Sequence, residues 1–176
     1  MTTLVCARTF GKLSHATFTI KPIRGFVSKY VGDGRGWIDP FAGDNSPAEF
    51  TNDWNIERHA KCHMEAEAFV LKLAANKTMR RRVRGAIFDP PYSYRQVSEH
   101  YRVVGRKATA LDTSYNFYRR VMVPLSVLLQ PGAVALSFGW NTNGFGKSLG
   151  FEKLEVLVVA HGGHHNDTLC LAERKL

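Results

Sequence analysis

The sequence predicts an α/β protein: a mostly parallel sheet covered by helices on both faces, three layers in all. Three observations carry this. Short apolar runs that suit buried strands, such as Ala86-Ile87-Phe88 and Ala133-Val134-Ala135-Leu136-Ser137-Phe138, alternate with stretches of helical spacing. These runs stop abruptly at Gly, Pro or an acid. No internal repeat or low-complexity linker interrupts the 176 residues, which suit one domain with a substantial core.

In chain order, Thr17 to Ile20 alternates weakly and leads into Lys21-Pro22-Ile23. Ile23, Phe26, Val27 and Tyr30 then share one side of a helix over residues 23–31. Gly32 to Gly36 is a turn, and Trp37-Ile38-Asp39 a short strand running into Pro40-Phe41-Ala42-Gly43. Asp44, Asn45 and Ser46 offer N-cap side chains before Pro47, a favoured first helical residue, so a brief helix is expected there. Phe50 to Asp53 reads as a second strand ending in an acid. His63 to Ala75, with Met64, Ala68, Val70, Leu71 and Leu73, reads as an amphipathic helix. Arg80-Arg81-Arg82 is a basic turn feeding the strand Val83 to Asp89. Tyr94 to Val104 is expected as helix or ordered loop, and Thr113 to Leu129 as a longer helix kinked at Pro124 and stopped by Pro131-Gly132. The buried strand from Ala133 is followed by a Gly/Asn loop (141–150), an apolar strand from Leu154 to Ala160 and a closing strand from Thr168 to Glu173.

Composition bounds the function. A hydrophobic fraction of 44% and a charged fraction of 22% are ordinary for a globular protein. No apolar run reaches the roughly 18 residues of a membrane helix, and Met1 to Phe10 lacks the apolar core of a signal peptide. Cys6, Cys62 and Cys170 are scattered and form no Cys-x-x-Cys pair, which points to reduced thiols in a cytoplasm. The net charge is +9, and its distribution is uneven. From Lys77 to Arg120, eleven Lys or Arg stand against three acids, a net +8. That basic stretch brackets Asp89 and suggests a polyanionic partner such as nucleic acid, although a solvated basic face would carry the same charge.

The chemistry concentrates at strand ends. Ala86-Ile87-Phe88 runs into Asp89-Pro90-Pro91-Tyr92, where the prolines forbid further strand or helix. A stiff, acceptor-rich corner beside an aromatic ring suits a planar molecule bearing an amino group; the same residues would also serve as a turn capping a strand. Asp39-Pro40 ends an earlier strand in the same way, fifty residues before. There Gly43 allows close backbone approach, and Asp53 stands where an acid takes both hydroxyls of a ribose. Together they suggest a crevice for a nucleoside-containing cofactor. Gly146-Lys147-Ser148 is similar to the end of a phosphate-binding loop, but Asn141 stands where the first glycine would be. His161, His164 and His165 have only Asp167 nearby and lack convincing metal spacing, so no metal is expected. Tyr115, Phe117 and Tyr118 suit helix packing, and Trp140 and Asn141 either border a ligand pocket or pack in the core.

Asp39-Pro-Phe-Ala-Gly43, Thr51-Asn-Asp53 and Asp89-Pro-Pro-Tyr92, in this order, resemble the S-adenosylmethionine-dependent amino-group DNA methyltransferases, above all the small adenine-specific enzymes of phages and prophages. Lys21-Pro22-Ile23 before a helix, the segment Ser137 to Asn141 and the segment Gly162 to Thr168 extend the likeness over most of the chain. The resemblance implies a Rossmann-like methyltransferase fold of about seven mostly parallel strands with an antiparallel last strand, in one catalytic domain. The chain departs from the family in having no recognisable target-recognition domain, since only about 25 residues separate His63 from Asp89. It implies that Asp39, Phe41, Ala42 and Gly43 line the methionine part of the cofactor, with Lys21 and Pro22 closing that side. Asp53 would hold the ribose, Trp54 would pack near the cofactor adenine, and His63 would either contact that adenine or lie on the surface. Asp89 and the backbone carbonyl after it would accept hydrogen bonds from the amino group of a flipped adenine, with Pro90 and Pro91 stiffening the corner and Tyr92 stacking on the base. Arg95, Arg102, Arg106 and Lys107 are the candidate phosphate contacts. The expected partner is DNA, with RNA possible, in a bacterial or phage-infected cell; target recognition would come from short pieces (Ser93 to Lys107, Asn141 to Lys147 or His161 to Asp167), or from a homodimer or partner. The alternatives are an RNA adenine methyltransferase and a non-catalytic cofactor-binding subunit.

Overall fold

The computed structural model describes residues 3–91, 98 and 115–176. Seven strands form one sheet: β1 (Val5–Phe10), β2 (Trp37–Asp39), β3 (Phe50–Thr51), β4 (Gly85–Phe88), β5 (Val134–Gly139), β6 (Phe151–Ala160) and β7 (Thr168–Lys175). Their spatial order is β1-β6-β7-β5-β4-β2-β3. All neighbours are parallel except β7, which runs antiparallel to both β5 and β6. The fold is α/β with a mostly parallel sheet, consistent with a Rossmann-like architecture.

Among the described residues four helices flank the sheet: α1 (Lys21–Val31), α2 (Ala66–Ala75), α3 (Met79–Arg82) and α4 (Tyr115–Leu128). Two apolar clusters show the layering. Ile23, Phe26, Val27 and Val31 of α1 pack with Trp37, Ile87, Leu136 and Cys170. Phe69 and Val70 of α2 and Val121, Met122, Leu125 and Leu128 of α4 pack with Ile38, Ala86, Phe88 and Ala135. Successive residues of β2, β4 and β5 thus serve opposite clusters, the period-two alternation of a strand covered on both faces. All four residues of β4 are accordingly buried.

The order of connection fixes where a ligand can sit. From β2 the chain goes to β3 on one side and then to β4 on the other. The loops leaving β2 and β4 therefore diverge, and a crevice opens at the carboxyl ends of these two strands, at the topological switch point. These are the ends that carry Asp39 and Asp89.

Several local expectations are corrected. No helix follows Pro47: the Ser46 hydroxyl donates to Asp39 Oδ2 at 2.6 Å, and only two residues separate Pro47 from β3. Thr17–Thr19, where the sequence alternates weakly, forms a 3-10 turn, with its closing N–H from Ile20. The helix expected from His63 starts at Ala66, because Met64 is held by Asn52. The edge strand β1 gives no clear signal in the sequence, and all six of its residues are exposed. Of the segment Tyr94 to Val104 only Ser98 is among the described residues, and it is helical. Among the described residues no helix is long and apolar enough to cross a membrane.

Candidate active site

At the switch point lies a cavity of about 320 Å³. Its walls are the loop after β2 (Pro40 to Asn45), the segment after β3 (Asn52 to Asn55), the approach to α2 (Met64 to Ala66) and the corner Asp89-Pro90-Pro91. His15 to Phe18, Arg58 and Phe117 complete it. Both strands end sharply there because proline has no N–H to continue a ladder.

The loop after β2 is folded around its own acid. Asp39 is fully buried, and its Oδ1 accepts the Phe41 N–H at 2.9 Å while Oδ2 accepts the Ser46 hydroxyl. The Ala42 N–H donates to the Asn52 carbonyl at 2.9 Å, and the Gly43 N–H to Asp53 Oδ2 at 3.0 Å. Gly43 has φ 53°, the left-handed region where a side chain is disfavoured. Asn52 joins three segments: Nδ2 donates to the Pro40 and Met64 carbonyls, at 3.1 and 3.0 Å, and Oδ1 accepts the Met64 N–H at 3.1 Å. Asp53 Oδ1 accepts the Asn55 N–H at 2.8 Å. Each Asp53 oxygen thus has one lone pair turned to the backbone and a second for a ligand.

The β4 corner is held from behind. The Phe88 ring meets Phe41, Tyr118 and Phe145 edge-to-face, with centroids 5.5, 6.1 and 6.0 Å away. The Tyr118 hydroxyl donates to the Pro91 carbonyl at 2.9 Å, and burial pushes its pKa up to about 12. The Pro91 carbonyl is therefore engaged from the helix side.

Charge inside the cavity opposes the charge of the chain. Asp44, Asp53, Glu65 and Asp89 line it against Arg58, and the Arg58 guanidinium is itself bound to Asp44 at 2.7 Å. Burial pushes the Asp39 carboxyl up to about 7; hydrogen bonds from Ser46 and Phe41 pull it down, and repulsion from Asp89 and Asp53 raises it again. A protein of net +9 thus carries an acid-lined cavity, which suits a ligand with positive charge and hydroxyl or amino donors.

Of the residues singled out by sequence, Phe41, Ala42, Gly43, Asp53, Trp54, Asp89, Pro90 and Pro91 come together on this one cavity. Asp39 stands behind the loop rather than in the lining, and shapes it. Lys21 and Pro22 begin α1 outside the lining, and Pro22 packs close to Gly11. His63 is exposed, and its Nδ1 bonds the Asp53 carbonyl at 3.1 Å, also outside the lining. Tyr92, Arg95, Arg102, Arg106 and Lys107 lie outside the described residues. His161 is buried between the Gly11 carbonyl (Nδ1, 2.7 Å) and the Thr168 hydroxyl (Nε2, 2.8 Å). Among the described residues no group of three His, Cys, Asp or Glu is placed to hold a metal ion.

Three contributions escape sequence reasoning. Asn52 was legible only as a polar residue at a strand end. The wall His15 to Phe18 has no motif, and reaches the cavity through β1, a strand at the far edge of the sheet. Glu173 is buried in β7 and accepts the N–H groups of Phe145 (2.6 Å) and Gly146 (2.9 Å), fixing the loop after β5. Compared with known proteins, the chain matches no family model and no curated protein.

Proposed function

We propose that this chain is a methyltransferase that moves a methyl group from S-adenosylmethionine to the exocyclic amino group of adenine in DNA. The observation that carries the reading is the meeting of the Phe41 to Gly43 loop, Asp53 and the Asp89-Pro90-Pro91 corner on one cavity at the switch point. Its volume of about 320 Å³ falls in the range of small-molecule sites. The chemistry of the lining fits the cofactor: Asp53 offers acceptors for ribose hydroxyls, Trp54 and Phe41 offer ring faces, and the excess of acids favours a cation. When bound, the cofactor supplies an electrophilic methyl on a sulfonium sulfur.

The residues of the chain do the rest by position and hydrogen bonding. An aromatic amino nitrogen is a poor nucleophile because its lone pair is delocalised into the ring. Asp89 and the Pro90 carbonyl accept its two N–H bonds, draw it toward tetrahedral geometry and free the lone pair. Tyr118, by engaging the Pro91 carbonyl, keeps the corner in register. Asp39 and Asn52 hold the opposite loop, so the two reactants meet at a fixed separation, where orientation supplies much of the rate. The base must leave its stack to reach the corner. An acid at the head of the corner, rather than a serine, favours adenine over cytosine.

The test is transfer of labelled methyl from S-adenosylmethionine to unmethylated DNA and, in parallel, to RNA. Label in DNA adenine is the expected result. Label in RNA alone moves the substrate, and label in neither, with cofactor binding intact, overturns the reading in favour of a non-catalytic subunit. Asp89→Ala is expected to lower transfer at least a hundredfold while leaving cofactor affinity within about twofold; retained activity removes Asp89 from its assigned role.

A further inference from the structure

Pro90 borders a second, smaller hollow of about 70 Å³, between the ends of β4 and β5, helix α4 and the loop after β5. Ser137 of β5 stands beside Phe88 in the parallel register, so the two side chains leave the sheet on the same face, toward Tyr118 and Met122 of α4. Ser137 is 8% exposed, and its Oγ is the one buried side-chain polar atom without a hydrogen-bond partner among the described residues. Folding seldom leaves such a group unmade, so it marks a place where a partner arrives. Among the described residues the lining contains no charged side chain: Phe88 and Tyr118 supply ring walls, and Asn141 and Asn143 supply amides at the rim. That chemistry rejects phosphate, carboxylate and cation, and suits the edge of an uncharged aromatic heterocycle.

We propose that this hollow receives the ring edge of the acceptor base, and that the Ser137 hydroxyl bonds it and so helps select the base. The inference rests on the methyltransferase reading. A serine hydroxyl both donates and accepts, so it can satisfy a ring nitrogen or a ring N–H. Pro90 lines both hollows, so a ring in the smaller one presents its amino group at the partition where the larger begins. Donor and acceptor would then occupy separate rooms that share one wall.

The test uses 9-methyladenine, a neutral base without sugar or phosphate, titrated into the full chain and followed by backbone amide NMR. The expected result is saturable shifts at Asn141, Asn143 and Gly144, with the dissociation constant about fivefold to tenfold higher in Ser137→Ala. Ser137→Cys, close in size to the native residue, is expected to weaken binding similarly while keeping the fold. Equal affinity in wild type and both variants, shifts confined to residues 41–43 and Trp54, or no saturable shift at the three loop amides overturns the proposal. Titration with S-adenosylhomocysteine is the separate arm: shifts at residues 41–43 that persist in Ser137→Ala keep the cofactor reading. Their absence in wild type defeats that reading, while the 9-methyladenine arm still decides the smaller hollow.

Discussion

Asp39 shows how one buried residue sets the behaviour of a site it does not line. Its carboxyl titrates at about 7 in the folded protein, chiefly because of burial, and near 3.9 in an unfolded chain. Between these values the folded state binds the proton more tightly, so this group lowers stability progressively as pH rises from about 4 to about 7. Asp39→Asn keeps an acceptor for the Phe41 N–H and a partner for Ser46 but cannot ionise. Thermal melts of both proteins should nearly coincide at pH 4 and separate by pH 7.5, with the variant higher; parallel curves would discard the assignment. The sequence named Asp39 as a ligand contact, since a carboxylate at a strand end beside a glycine fits that role. Its actual hydrogen bonds depend on Ser46, which the same sequence suggested as a helix cap. A side chain with two available uses is not decided by local pattern.

At the level of elements, legibility followed locality. Helix α1 was readable because Ile23, Phe26 and Val27 carry the helical period within one short stretch, and β4 because a short apolar run ends in two prolines. The wall made by His15 to Phe18 was not, since its position depends on β1 pairing with β6, where Val5 stands opposite Glu155. The loop after β5 is equally non-local: its shape is set by Glu173, one strand later. Gly144 tests that dependence. It has φ 52°, and a Cβ there would stand 2.1 Å from Glu173 Oε2 and 2.5 Å from Leu171 Cδ2. Gly144→Ala therefore has to displace a carboxylate that holds two backbone N–H groups, besides taking a left-handed conformation. A loss of about 2–4 kcal/mol in denaturant-derived stability is expected; a loss below about 1 kcal/mol would mean that the loop accommodates the methyl without disturbing Glu173.

Across the whole molecule, charge is divided between surface and cavity. The chain is basic, while its cavity is lined by four acids and one arginine. Under the proposed function, DNA binding and cofactor binding should answer differently to salt. Raising sodium chloride from about 50 to 200 mM should weaken DNA binding tenfold or more through counterion release, and change the affinity for S-adenosylmethionine by less than about threefold. Equal salt slopes for the two ligands would remove the division. The sheet order has a further consequence, for how the protein comes to be made. His161 holds the carbonyl of Gly11 across 150 positions of chain, and it anchors the segment that supplies one cavity wall. During synthesis β1 and the segment after it wait, without their neighbour in the sheet, until β6 has emerged. That wall is fixed only after β6 and His161 have left the ribosome, so a chain arrested before β6 would be born with the chamber open on that side.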